Sequence, residues 1–205
     1  MSGVGVWRLE KSLKQKDLAV RAGDLTYTSR HFLGTSEAAN WEAPSFEVLD
    51  ANKRAPDVVT WMAGPPIVSG RFFEAMGAIT EGLVEYLPFH VIKKKQYFVM
   101  NVLNVVDDAV NLQESEILYG DEPKGFVISV KRVVFKPDRV DRLPEVFKLA
   151  LQPNGNIYVR QRFCETVAAS KFSGICFSDP AVDSFRAYVR GQPLNIYPGI
   201  PDFGF

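Results

Sequence analysis

The strongest periodicities lie in the middle of the chain. Phe72, Phe73, Met76 and Ile79 fall at helical spacing, which predicts an amphipathic helix over residues 70–81. Ser69 stands at its N-cap position, with a hydroxyl able to accept from a first-turn amide, and Gly82 suits its end. On either side the pattern turns extended. Residues 58–62 are β-branched and aromatic, and Gly64-Pro65-Pro66 stops them because proline cannot donate to a ladder. Residues 83–92 and 96–106 flank Lys93-Lys94-Lys95, which reads as a solvated hairpin tip. The run 96–106 is almost continuously apolar, so it is expected to be one central strand buried on both faces.

Elsewhere the periods are shorter. Residues 4–10, 116–119, 126–135, 145–151, 157–159 and 175–177 read as strands. Residues 161–171 read as a helix with Phe163, Val167 and Ala168 on one face, and Asp179 is placed to cap a last helix over 181–190. Residues 29–44 are punctuated as a loop, and 107–116 as a short helix or ordered loop. In the turn 152–156, Gly155 is expected to supply a positive φ. Residues 191–205 hold three prolines and three glycines, which break both periods, yet Leu194, Ile196, Tyr197, Ile200, Phe203 and Phe205 are apolar. This tail is expected to pack along the body.

One segment echoes another. Val68, Arg71, Phe72, Glu74 and Ala78 recur 91 positions later as Val159, Arg162, Phe163, Glu165 and Ala169. Each copy is a short strand leading into a helix, which suggests two equivalent strand–helix units packed on one sheet. Arg71 and Arg162 occupy matching first-turn positions, where a cation needs a partner. Each is expected to pair with the acid three residues on, Glu74 or Glu165. The competing reading is an anion site.

Composition narrows the class. The chain has 205 residues, 46% hydrophobic and 23% charged, which is ordinary globular usage and suits one domain over residues 1–205. No apolar run approaches the roughly 18–20 residues of a membrane span. Met1–Arg8 lacks the charged-then-apolar order of a secretory signal, so a cytoplasmic protein is expected. Cys164 and Cys176 are too few for a disulfide scaffold and read as buried free thiols. Lys and Arg together equal Asp and Glu at 24 each, which argues against general nucleic-acid binding. The balance is uneven along the chain, however. Residues 96–123 hold six acids and no Lys or Arg: Asp107, Asp108, Glu114, Glu116, Asp121 and Glu122.

The residues offer little chemistry. His31 and His90 lack ligand spacing, and no CxxC, HExxH, GxSxG or phosphate-cradling glycine motif occurs. Asp107 and Asp108 with Asn101 and Asn104 are oxygen donors, but neighbours on a strand point to opposite faces. No cofactor, metal or catalytic residue is assigned.

Three segments carry a family resemblance. They are Pro66-Ile-Val-Ser-Gly-Arg-Phe72, the block from Tyr97 through Asp107 to Ser115, and Ile157-Tyr-Val-Arg-Gln-Arg-Phe163. Together they resemble the eleventh family of immunity proteins of bacterial polymorphic toxin systems, formerly a domain of unknown function. The likeness covers residues 58–179 and is densest at Asn101, Leu103, Asn104, Val105, Val106, Asp108 and Ser115. Asn111 stands where the family pattern has an Asp, and Gln113-Glu114 where it has Glu-Lys. The resemblance implies a non-enzymatic protein that binds and neutralises a cognate toxin domain encoded by a neighbouring gene.

The expectation is therefore an α+β domain with a largely antiparallel sheet and two or three amphipathic helices. The six acids are the candidate contacts with a basic toxin surface. The competing readings are a small carboxylate-based enzyme, with or without a divalent metal, and an oligomer-forming module that uses the apolar tail.

Overall fold

The structure is a computed structural model, and it describes residues 5–11, 19–23, 31–49, 51–61, 64–121, 126–183, 186, 189–190 and 197–198. Strands dominate. In chain order they are β1 (Val6–Lys11), β2 (Ala19–Ala22), β3 (Phe46–Leu49), β4 (Val58–Trp61), β5 (Ile67–Ser69), β6 (Val84–Ile92), β7 (Lys95–Val102), β8 (Val105–Val106), β9 (Glu116–Tyr119), β10 (Val127–Arg132), β11 (Val146–Leu149), β12 (Tyr158–Arg160) and β13 (Ile175–Ser178). The helices are α1 (Gly70–Thr80), the single turn α2 (Pro137–Val140) and α3 (Gln161–Ser170). This is the expected α+β composition. Pairing is antiparallel except at β2/β4 and β8/β11.

One expected sheet is in fact two, with a separate ribbon. Among the described strands, a six-stranded sheet runs β3-β2-β4-β5-β7-β6, a five-stranded sheet runs β13-β1-β12-β11-β8, and β9 pairs with β10 in a two-stranded ribbon. The run 96–106 does not form one central strand. It is buried on both faces as far as Val102, but then crosses between sheets: β7 belongs to the first, and β8 lies beside Lys148 and Leu149 of β11 in the second.

The internal echo extends through both sheets. In the first, β5 leads through α1 to β6, with β7 antiparallel between the two strands. In the second, β12 leads through α3 to β13, with β1 antiparallel between them. The registers correspond residue for residue. Ile67 faces Val99 as Tyr158 faces Arg8, and Tyr86 faces Met100 as Phe177 faces Leu9. Flanking strands follow the rule: Val58 faces Val68, and Val146 faces Val159. Backbone bonds repeat as well, Met100 N–H to Pro66 O and Leu9 N–H to Ile157 O, both at 2.9 Å. The difference lies in connectivity. The middle strand of the first unit follows β6 directly, whereas that of the second comes from the start of the chain.

Strand alternation then sorts the core into three layers. Val58, Val68, Phe72, Met76 and Met100 of the first unit meet Val146, Val159, Phe163, Val167 and Phe177 of the second in a shared cluster that contains both helices. Val59, Ile67, Tyr97 and Val99 point the other way, into a cluster with Phe32 and Trp61. Phe147 and Tyr158 likewise point outward, into a cluster with Val130 and Phe135. Cys164 and Cys176 are buried free thiols. Of the tail, Tyr197 is described: its ring lies edge-on to Trp7 at 5.2 Å and its amide donates to Phe177 O. The other apolar tail residues lie outside the described residues.

Local expectations divide in the same way. Ser69 Oγ accepts from Phe72 N–H, and α1 ends before Gly82 in the left-handed region. Gly155, by contrast, has no positive φ: its amide donates to Gln152 O, and a Cβ there would strike the Gln152 side chain. A position that does need glycine is Gly174, with φ +86° and Val58 O only 2.0 Å from where a Cβ would sit. Arg71 pairs with Asp57, not Glu74, in two bonds of 3.1 and 2.9 Å, so the anion reading also falls away there. Glu165 accepts from Gln161 instead of pairing with Arg162. The last helix, 181–190, lies partly outside the described residues, and Asp179 Oδ1 accepts from Ala181 N–H.

Candidate functional site

The family block sits where the chain passes from one sheet to the other, and its residues hold that crossing together. Asn101 is buried, and its side chain donates to Thr35 O at 2.9 Å and to Glu85 Oε2 at 3.1 Å. Glu85 also accepts from Ser36 Oγ and from the Glu37 amide. Burial alone would raise the Glu85 pKa, but these bonds outweigh it and hold the carboxyl below its usual range. Asn104 gives its carbonyl to Lys148 N–H at 2.8 Å. The Lys148 side chain is buried and donates to Phe32 O, and burial pushes its pKa down to about 8.

The candidate acids follow this crossing as a turn structure, not a helix. Asp107 is exposed and accepts from the Asp108 amide at 2.8 Å. Asp108 takes a left-handed φ of 55°, which Asp tolerates better than most residues. Its carboxylate is held by Lys136 and by Arg139 at 2.9 Å, and the bond and charge of Lys136 chiefly keep its pKa low. Val110 bridges to Phe135, and Asn111 N–H donates to Val134 O. Asn111 Oδ1 accepts from Gln113 N–H, while Ser115 Oγ joins Asn111 O to the Val134 amide. An Asp at position 111, as in the family pattern, would accept the same Gln113 bond. The departure therefore leaves the turn intact.

The remaining acids fall along β9. Glu116 faces Arg132 across the ribbon and pairs with Arg186 at 3.2 Å, with Lys131 at 3.9 Å. Glu114 and Asp121 are exposed, and neither side chain makes an ion pair among the described residues. Glu122 lies outside the described residues. The six acids thus do not form one bare patch. Cations match Asp108 and Glu116, while Asp107, Glu114 and Asp121 stay turned to solvent.

The sequence reading missed the apolar surface between these acids. Leu112, Leu118, Tyr119, Phe126 and Ile128 are all exposed. The signal was present: residues 117–119 and 126–128 are apolar on both faces, whereas a two-stranded ribbon has only one face to pack.

A cleft of about 600 Å³ opens beside the ribbon, with Arg8, Glu10, Lys131, Asp183, Arg186 and Arg190 on its walls. Its charges largely answer one another, Arg8 to Glu10 at 2.7 Å and Arg186 to Glu116 and Asp183. Among the described residues, no three His, Cys, Asp or Glu side chains gather as a metal site would require. No described helix is long and apolar enough to cross a membrane.

Among the described residues the scaffold is mostly β with three helices, an α+β fold. A family model described as "Immunity protein family (Imm11)" matches residues 7–182, and the chain belongs to that family. The match begins at Trp7, well before the region 58–179 on which the resemblance rested. The topology explains the extension, because β1 is the middle strand of the second unit. Comparison with curated proteins finds none that matches the chain.

Proposed function

We propose that this protein folds as one domain and binds a cognate toxin domain, neutralising it by protein–protein contact. It would thereby protect the producing bacterium in competition with its neighbours. The observation that carries the reading is membership of the immunity family over residues 7–182, a span that includes both structural units and the acidic turn. The toxin is expected to be encoded by the adjacent gene and to act, like its antidote, in the cytoplasm. The protein needs no catalytic group or cofactor for this role, and no nucleic acid is a partner.

The acids Asp107, Asp108, Glu114, Glu116, Asp121 and Glu122 are the proposed electrostatic side of the contact. Asp107, Glu114 and Asp121 carry the larger share, because Asp108 and Glu116 already have internal cations. Unmatched acids raise the association rate with a basic partner and disfavour acidic ones. Co-expression with the neighbouring toxin gene tests the reading. Growth should be restored and the two proteins should co-purify; toxin that kills unimpeded and leaves no complex refutes it.

A further inference from the structure

Half of the large apolar side chains exposed among the described residues fall within one stretch. Leu112, Leu118, Tyr119, Phe126 and Ile128 are 45–58% exposed. The inward face of the β9–β10 ribbon is already occupied, since Ile117, Val127 and Val130 pack on the third core cluster. The outward face presents Leu118, Phe126 and Ile128. A methyl on Gly120 would lie 3.4 Å from Ile128 Cδ1 and 3.7 Å from Phe126 Cδ1. These two side chains therefore lie side by side over the Gly120 backbone. Leu118 faces Ser129, the residue next to Ile128. A surface ribbon packs one face and commonly leaves the other polar, so a contiguous apolar outer face marks a contact surface. Among the described strands, β9 has a neighbour on its β10 side only.

Two acids at the rim of this patch are unmatched among the described residues, and one cation, Arg132, reaches the same edge and donates to Glu114 O. Glu114 precedes β9 and Asp121 follows it, both exposed and without an ion pair among the described residues. An apolar centre with unmatched acids at its edge complements an apolar anchor ringed by Lys and Arg. A second copy of this chain fits less well, because a two-fold contact would bring the same acids together.

We propose that the outward face of β9–β10 is the anchor of the toxin interface. An apolar patch of a basic protein partner seats on Leu118, Phe126 and Ile128, and its cationic rim meets Glu114 and Asp121. This rests on the immunity reading above, and the experiment separates the two. The toxin domain encoded beside the gene, carrying an inactivating substitution, is titrated against wild type and three variants. The triple variant Leu118→Ser, Phe126→Ser, Ile128→Ser should raise Kd by about 100-fold or more, equally at low and high salt, as loss of a central anchor does. Glu114→Lys with Asp121→Lys should cost about tenfold at low salt and less at high salt. Val91→Ser, an exposed apolar residue on β6, should bind like wild type. If the triple variant fails to fold, Phe126→Ser alone replaces it and should still weaken binding by about tenfold. Near-wild-type affinity in a variant with an unchanged melting temperature overturns the proposal and leaves the immunity reading standing. Failure of the wild type to bind overturns both. A wild-type dimer that the substitutions dissociate assigns the face to self-association and also overturns it.

Discussion

Lys148 offers the sharpest test of how the two sheets are joined. It lies on β11 beside the crossing strand β8, is 2% exposed, and gives its ammonium to Phe32 O. Burial alone accounts for its pKa falling from 10.5 to about 8. That gap corresponds to roughly 3 kcal/mol against keeping the charged form folded at neutral pH. The sign follows from proton binding. Between pH 8 and 10.5 the unfolded chain holds the proton more tightly than the folded one, so stability from this group rises with pH. Its contribution should grow by about 1 kcal/mol from pH 7 to 9 and about 2 kcal/mol from pH 7 to 10. Lys148→Met keeps the aliphatic packing and removes the titration. Other groups shift over this range too: burial raises the Cys164 thiol, which lowers stability once pH passes its ordinary value of 9.0. They are common to both proteins and cancel in the difference. Urea unfolding of wild type and Lys148→Met at pH 7, 8, 9 and 10 should show wild type gaining on the variant by these amounts. At pH 7 the two should lie close, because the variant loses the cost of a buried cation together with the Lys148–Phe32 O bond. A difference that stays flat from pH 7 to 10 would refute the argument, since it would mean that Lys148 keeps its water in the folded protein.

Three further outcomes follow from other joints. Asp57 binds Arg71, Ser69 and the amide and hydroxyl of Ser173, tying the first unit to the strand-entry turn of the second. Asp57→Ala should cost about 2–3 kcal/mol in denaturant unfolding. Burial would raise the Asp57 pKa, but the bonds from Arg71 and Ser173 hold it below 3.8, so this stabilisation is present at neutral pH and lost as acid protonates it. The deficit of the variant should therefore narrow below about pH 4, and a pH-independent deficit would contradict the assignment. Gly174→Ala should lower stability by about 3 kcal/mol or more, because it sets a methyl against Val58 O at a positive φ; an unchanged melting curve would show that the turn can open. Reversing Asp107, Asp108, Glu114 and Glu116 to Lys should weaken toxin binding more at low salt than at high salt, with salt-independent affinity moving the electrostatic contact elsewhere.

Periodicity carried the local elements well. The helices at Gly70–Thr80 and Gln161–Ser170 stand within a residue of their predicted spans, and the strand–helix echo was visible from five identities. It did not reveal how far the echo runs. The flanking positions match in register but not in residue type: Met100 corresponds to Leu9 and Val99 to Arg8. Nor did it show that the acids Asp108 and Glu116 are matched, because Lys136, Arg139 and Arg186 reach them from 28 to 70 positions away.

What this sequence determines by itself is local: where backbone amides are capped, which residues alternate, and which family the central block resembles. What only the tertiary structure decides is which strand completes which unit. β1 meets partners some 150 to 170 positions later, and the run 96–106 leaves one sheet for another within three residues of Val102. Side-chain period reports which face of a strand is buried, but it carries no record of the neighbour across the ladder. For that reason the N-terminal segment reads from sequence only as a short strand outside the family likeness, and the outer face of β9–β10 as ordinary strand. Both acquire meaning once the sheets are assembled, the first as the centre of a unit and the second as apolar surface left about half exposed.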